Sequence, residues 1–263
     1  MHSDITFITG AGSGIGRAVA LLQASAGRPL ALVDRDRANV EAVAAEAEER
    51  GAPLTLAIAA DISQEAAVSD AYEQCRASLG IPTRVVANAG VEISRKAHET
   101  TLTEWASVID VNLTGTFLTC RDAIRLLLDH GRPGAIVCVS SPSAFVGFAG
   151  GSNSAYGSSK GGISAMVKAL AVDYAASGIR VNGVVPGATA TSLLDVTTQA
   201  HEGTQAYDDI AHRARTQIPL GRLARPEEIA EAIDWLLGPK SSYVTGSHVH
   251  VDGGLTARGA NDF

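Results

Sequence analysis

Thr9-Gly10-Ala11-Gly12-Ser13-Gly14-Ile15-Gly16 follows a short apolar run, Asp4–Thr9, and opens a helical pattern from about Ile15 to Ala26. A pyrophosphate group needs backbone N–H groups at a helix N-terminus and no side chains blocking its approach. Glycines at positions 10, 14 and 16 supply the tight turn, the close approach and the packing of helix on strand. A glycine-rich turn can also be merely flexible. This one joins a first strand to a first helix, which is the context a dinucleotide-binding turn requires.

Outward from this turn the chain alternates. Pro29–Val33 is a second apolar strand, stopped by Asp34-Arg35-Asp36, and an alanine-rich helix follows to Arg50 with Gly51 as its stop. Leu54–Ala59 reads as a third strand and about Gln64 to Leu79 as a helix; Arg84–Ala87 is a fourth strand, ended by Asn88-Ala89-Gly90. Thr101-Leu102-Thr103-Glu104 can form a capping box at the head of a helical region reaching about Asp129, interrupted at Asn112-Leu113-Thr114-Gly115. Ala135–Val139, Ile179–Val184 and His248–Val251 complete the strands, separated by a helix over Ser154–Ser177 and one begun by Pro226. Strands this apolar, parted by helix-length segments, imply a parallel sheet covered on both faces. The expectation is a single domain over residues 1–263 of the α/β class: a doubly wound, Rossmann-type parallel sheet of about seven strands with helices on both faces. Its ligands belong at the carboxyl ends of the strands.

Composition limits the partners. At 46% hydrophobic and 19% charged residues over 263 positions, the chain can bury a large core without a metal or disulfide staple. A net charge of −7 with no basic run argues against nucleic acid and anionic membranes as partners. No apolar stretch approaches the roughly 18 residues that span a bilayer, and Met1-His2-Ser3-Asp4 shows neither a basic region nor a cleavage signal. Cys75, Cys120 and Cys138 are odd in number and widely spaced, so they read as buried free thiols, which suits a reducing cytoplasm.

Three further stretches carry chemistry. Asp34, at the end of the second strand, is placed to accept both hydroxyls of an adenosine ribose and to repel a 2′-phosphate, which favours NAD over NADP. Arg35 beside it could instead pair with that phosphate, or be a solvated loop residue. Asp61, after the third strand, is placed either to meet the adenine edge or to cap the next helix. In Tyr156-Gly157-Ser158-Ser159-Lys160 the phenol and the ammonium share a helix face. A nearby cation favours phenolate, which would let Tyr156 exchange a proton with an alcohol or ketone oxygen. Upstream, Val139-Ser140-Ser141-Pro142-Ser143 ends a strand with hydroxyls that could hold a substrate oxygen. A Ser–His–Asp hydrolase wants a G-x-S-x-G elbow, which this strand end lacks.

With these pieces in order, the chain resembles the short-chain dehydrogenase/reductase family of the single-domain type, over residues 4 to 254. The resemblance rests on the glycine turn, Asn88-Ala89-Gly90, the Asn112 segment, Ser140-Ser141, Tyr156 with Lys160, Pro186-Gly187 and Val251-Asp252-Gly253-Gly254. It implies a catalytic tetrad of Asn112, Ser141, Tyr156 and Lys160. In it Tyr156 is the acid/base, Ser141 binds the substrate oxygen, Lys160 lowers the tyrosine pKa and holds the nicotinamide ribose, and Asn112 fixes a relay water. An asparagine at a helix kink bonded to backbone is the plainer role for Asn112, and both can hold together. Cofactor contacts implied are Gly10, Ser13, Gly14, Ile15, Gly16, Asp34, Arg35, Asp61, Ile62, Asn88, Ala89, Gly90, Pro186, Gly187, Thr189 and Thr191, besides Tyr156 and Lys160. A homotetramer or dimer is implied as well.

The departures are local. Ala87 stands where the family often has a second asparagine, Thr189 where isoleucine is common, and the loop Pro142–Asn153 is longer than usual, so Ser143 rivals Ser141. Glu92, Ser143 and Phe148, with Val91 and Phe145, are the candidates for the substrate pocket. Residues 192–217, long and polar, suit a lid. His248 and His250 alternate on one strand without a third ligand nearby, so a core or subunit contact is expected and no metal. The expected function is interconversion of a secondary alcohol and a ketone with NAD(H), on a cyclic, apolar or polyol-type small molecule. A 3-ketoacyl thioester reductase and a non-catalytic NAD-binding sensor are the competing readings.

Overall fold

Seven parallel strands build one sheet, in the order β3-β2-β1-β4-β5-β6-β7. The strands are β1 (Ile5–Thr9), β2 (Leu30–Asp34), β3 (Thr55–Ala59), β4 (Pro82–Ala87), β5 (Gly134–Val139), β6 (Ile179–Pro186) and β7 (His248–Val251). The α-helices that lie wholly within the described residues are α1 (Gly14–Ser25), α2 (Arg37–Glu49), α3 (Glu65–Ser78), α4 (Leu102–Ile109), α5 (Gly115–Asp129), α6 (Ser154–Tyr174) and α7 (Pro226–Leu237). The computed structural model describes residues 4–148, 151–191 and 212–259.

Alternate strand residues face opposite sides, and both sides are apolar. Phe7, Val85, Ile136 and Val181 form one core with Tyr72 of α3, Leu127 of α5 and Ile163 of α6. Ile8, Leu32, Val86 and Val137 form the other with Val19 of α1, Val40 of α2 and Ile233 of α7. Phe7 and Tyr72 stack at 4.1 Å, and the Tyr72 hydroxyl donates to the Thr119 carbonyl at 2.8 Å, so its polar tip is satisfied inside the core. Each such fully buried large side chain contributes about 1.5–3 kcal/mol relative to exposure. All three cysteines are buried and free, with the Cys120 and Cys138 sulfurs 3.6 Å apart between α5 and β5.

The chain reverses direction across the sheet between β1 and β4, since β2 lies on one side of β1 and β4 on the other. Ligands of open α/β sheets bind in the crevice at such a point. The turn after β1 and Asn88-Ala89-Gly90 after β4 therefore meet there.

The element boundaries shift modestly from those read in the sequence. β4 starts at Pro82, which is tolerated because a first strand residue need not donate. β6 continues through Pro186 because Val185 and Pro186 pair with His250 and Val251. The capping box at Thr101 forms, with Thr101 N donating to Glu104 Oε2 at 2.9 Å and Glu104 N to Thr101 Oγ1 at 3.2 Å. The interruption at Asn112 is a π-helical turn, Asp110–Thr114, which joins α4 to α5. No helix among the described residues is long and apolar enough to cross a membrane.

Candidate active site

The glycine turn leaves no room for side chains. Gly10 and Gly14 have φ of +65° and +52°, the left-handed region that L side chains rarely adopt. A Cβ on Gly16 would sit 2.0 Å from the Gly10 carbonyl oxygen, and one on Gly10 would sit 2.7 Å from Ala89 Cα. Asn88 pins this turn from below: its Nδ2 donates to the carbonyls of Thr9 and Gly10 at 3.1 and 3.0 Å. Thr9 Oγ1 in turn accepts from the backbone N–H groups of Asn88 and Ala89. Ser13 is the N-cap residue of α1 and Ile15 packs against the core. Thr191 lies over the turn, within 3.2 Å of where a Gly14 Cβ would be. The residues that would hold a pyrophosphate thus form a cradle that any added Cβ would fill.

Asp34 is oriented by backbone alone. Its Oδ2 accepts from Gly12 N at 2.9 Å and its Oδ1 from Asp36 N at 3.0 Å. Gly12, inside the motif, supplies the N–H that holds one of the two carboxylate oxygens. Arg35 is exposed and forms no ion pair among the described residues. Of the two roles open to Asp61, the helix cap is excluded: the N-cap of α3 is Gln64, and Asp61 Oδ1 accepts from the N–H and hydroxyl of Ser63 in the preceding turn. Ile62 beside it is buried against Gly115.

The four residues of the expected tetrad come from four parts of the fold. Ser141 follows β5, Tyr156 and Lys160 lie on α6, and Asn112 lies in the π-turn. The Ser141 hydroxyl lies by the Tyr156 phenol and donates to Ser143 Oγ at 3.3 Å. It also accepts from Ser143 N at 3.2 Å, while Ser143 Oγ accepts from Asn153 Nδ2 at 3.2 Å. Ser143 therefore braces the loop, and Ser141 is the hydroxyl at the tyrosine. Lys160 is buried, with Nζ donating to the Val139 carbonyl at 2.8 Å and lying 5.5 Å from the Tyr156 ring centroid.

The electrostatics differ from the sequence expectation. Burial pushes the Tyr156 phenol well above its usual pKa, the Glu92 carboxylate pushes it further, and only the Ser141 hydroxyl opposes them. Burial sets the direction at the phenol, and it also disfavours the ammonium beside it. That lowers the Lys160 pKa to about 8, against support from Cys138 and Glu92.

Asn112 is fully buried, and its amide clamps the backbone of Val91: Oδ1 accepts from Val91 N at 2.8 Å and Nδ2 donates to Val91 O at 2.9 Å. Nδ2 also donates to Ser159 Oγ at 3.0 Å. The backbone-bonded kink role is thus realised. Ser159 is a partner that nothing but its place beside Lys160 could have flagged. Asn112→Ala should cost about 1–3 kcal/mol for each buried group left unpaired, read as a lowered urea midpoint with an unchanged slope.

Further toward the substrate, the picture is mixed. Phe145 does not face the tetrad; it packs edge-on to His248 at 5.7 Å and beside His250 at 5.1 Å, which accounts for the paired histidines of β7. Phe148 is partly exposed. Gly187 is required by packing, since a Cβ there would sit 2.7 Å from Asp252 Cα, and Thr189 is buried with its hydroxyl donating to the Gly187 carbonyl at 2.9 Å. Of the expected lid, residues 192–211 lie outside the described residues, and 212–217 are helical.

The matching family model carries the description Enoyl-(Acyl carrier protein) reductase and spans residues 10–256. The cis-4-hydroxycyclohexanecarboxylate dehydrogenase of Sinomonas cyclohexanicum is 39% identical over 254 residues, covering 96% of each chain. A short-chain type dehydrogenase/reductase from Mycobacterium marinum shares the fold with a TM-score of 0.89 at 34% identity, over 97% of this chain and 96% of its own. The chain is a short-chain dehydrogenase/reductase. The 3-ketoacyl-(acyl-carrier-protein) reductase of Brucella melitensis, whose structure contains NADH, is similar at a TM-score of 0.85 and 33% identity, over 96% of this chain and 98% of its own. In this chain Ser141, Tyr156 and Lys160 lie together at the carboxyl end of the sheet.

Proposed function

We propose that this short-chain dehydrogenase/reductase interconverts a secondary alcohol and a ketone with NAD(H). The observation that carries the reading is the Tyr156 ring beside the buried Lys160, with the Ser141 hydroxyl next to them, on the same edge of the sheet as the glycine cradle and Asp34. The N–H groups of the Gly10–Gly16 turn would bind the pyrophosphate, with Ser13, Ile15 and Thr191 around it. Asp34 would accept the adenosine ribose hydroxyls. Asp61 and Ile62 would border the adenine, Asn88-Ala89-Gly90 the ribose, and Pro186, Gly187 and Thr189 the nicotinamide. Lys160 would hold the nicotinamide ribose. When bound, the nicotinamide supplies the hydride acceptor or donor.

The chain's own work is proton transfer and orientation. Ser141 donates a hydrogen bond to the substrate oxygen. Tyr156 gives that oxygen its hydroxyl proton in ketone reduction and takes one from it in alcohol oxidation. Lys160, with a pKa of about 8, stays largely protonated at neutral pH and balances the phenolate left behind. Asn112 keeps the Val91 backbone and the α4–α5 turn in place, and a relay water is assigned to its surroundings.

One domain carries both sites, residues 192–217 act as the lid, and Glu92, Ser143 and Phe148 border the substrate. A homodimer or tetramer is proposed on the exposed apolar residues Trp105 and Phe117 of α4 and α5, and a reducing cytoplasm on the three free thiols. Initial rates over a panel of secondary alcohols and their ketones, with a 3-ketoacyl thioester as competitor, test the reading. Because burial and Glu92 favour the protonated phenol, ketone reduction should dominate at neutral pH and alcohol oxidation should climb steadily into the alkaline range. Turnover confined to the thioester, or no pH dependence in the oxidation direction, would sink it.

A further inference from the structure

Glu92 follows directly on Val91, whose N–H and carbonyl are both held by Asn112 at 2.8 and 2.9 Å. The backbone that carries this carboxylate is therefore as fixed as the tetrad itself. The loop that carries it runs against the tetrad, since a Cβ on Gly90 would sit 3.5 Å from Lys160 Nζ and 3.3 Å from Asn112 Oδ1, and the half-buried Glu92 acts through its charge on both Tyr156 and Lys160. Among the described residues no hydrogen bond or ion pair reaches it. An ionised carboxylate can only accept, and one partly withdrawn from water without protein donors is under-satisfied. A donor brought by a ligand removes that deficit.

We infer that Glu92 is a specificity-determining residue that accepts a hydrogen bond from a second hydroxyl of the substrate, on the carbon next to the reacting one, so that the preferred substrates are vicinal diols and the matching hydroxyketones. The inference rests on the reading that Tyr156 handles the reacting oxygen. A neutral hydroxyl fits better than an ammonium, because Lys160 already places a positive charge in the cluster. A carboxylate or phosphate near that carbon would meet Glu92 as a like charge.

The test separates binding from turnover. Calorimetric titration of the NADH-loaded enzyme with trans-1,2-cyclohexanediol, cyclohexanol and trans-2-aminocyclohexanol reads recognition with no reaction occurring. Hydrogen bonds to charged groups correspond to about 10-fold or more in affinity, so the diol should bind wild type at least about 10-fold more tightly than cyclohexanol. In Glu92→Ala that ratio should fall to near one. Glu92→Gln, which keeps the shape and one acceptor, should retain part of it and serves if the alanine variant fails to fold. Removing the charge in Glu92→Gln also relieves Tyr156, so alcohol oxidation should set in at lower pH; the groups facing the carboxylate are Tyr156 and Lys160, with Cys138 behind the lysine. Loss of packing alone would not move that profile. A wild type without diol preference, an alanine variant that keeps it, an unmoved pH profile, or tighter binding of the amino alcohol each overturns the inference. Diol preference without NADH formation from any alcohol would instead count against the proposed function alone.

Discussion

Replacing Tyr156 with phenylalanine should lower kcat/KM by about 10²–10⁴-fold in both directions, the usual contribution of a positioned acid/base, while NAD affinity changes by no more than a few-fold. The substitution removes one oxygen. The ring stays on α6, and Lys160 keeps its bond to the Val139 carbonyl, so the ammonium does not move. The Ser141 hydroxyl keeps both of its bonds to Ser143, so the loop after β5 stays braced. Single-turnover kinetics with fluorescence titration of the nicotinamide cofactor measure the two quantities on one preparation. A large loss of turnover with binding intact assigns Tyr156 to the chemistry. An unchanged phenotype would support a sensor that uses the cofactor as a signal. A matching loss of binding would mean that the phenol holds the cofactor in place and that the proton comes from elsewhere.

Much of this site is legible in the sequence because each part has a backbone reason for its residue type. Gly10, Gly14 and Gly16 are fixed by positive φ or by a Cβ that has no room, and such demands survive whatever surrounds them. Tyr156 and Lys160 share a face through the helical repeat, and Thr101 with Glu104 form a local cap. What could not be read is what depends on distant parts of the chain meeting. The Asn112 amide spends itself on Val91 and Ser159, which only the packing of the π-turn against α6 and the loop after β4 brings within reach. The direction of the tyrosine shift was also hidden. The spacing shows a cation nearby, but it cannot show that burial outweighs it or that Glu92 adds to burial. Phe145 looked like a pocket residue for the same reason: loop sequence carries no sign that the ring turns to the β7 histidines.

Replacing Asp34 with serine should change cofactor choice, lowering the NAD-over-NADP ratio of kcat/KM by about 10²-fold or more. Two effects act together. Wild-type Asp34 offers a carboxylate held by Gly12 N and Asp36 N, and a 2′-phosphate placed against it would cost several kcal/mol through like charge. Removing the charge lifts that penalty on NADP and also takes about 1.5–3 kcal/mol of charge-assisted bonding from the NAD ribose. The Gly12 and Asp36 N–H groups, freed of their acceptor, become donors to the incoming phosphate, and exposed Arg35 has no competing ion pair among the described residues. Arg35→Ala in the serine background should therefore cancel most of the gain with NADP and leave NAD unaffected, which separates the arginine from the freed backbone donors. If wild type already prefers NADP, the carboxylate has turned aside on binding and Arg35 governs the choice. If the ratio does not move in Asp34→Ser, discrimination lies outside the end of β2, and the contacts of Asp61 and Ile62 are the next to be varied.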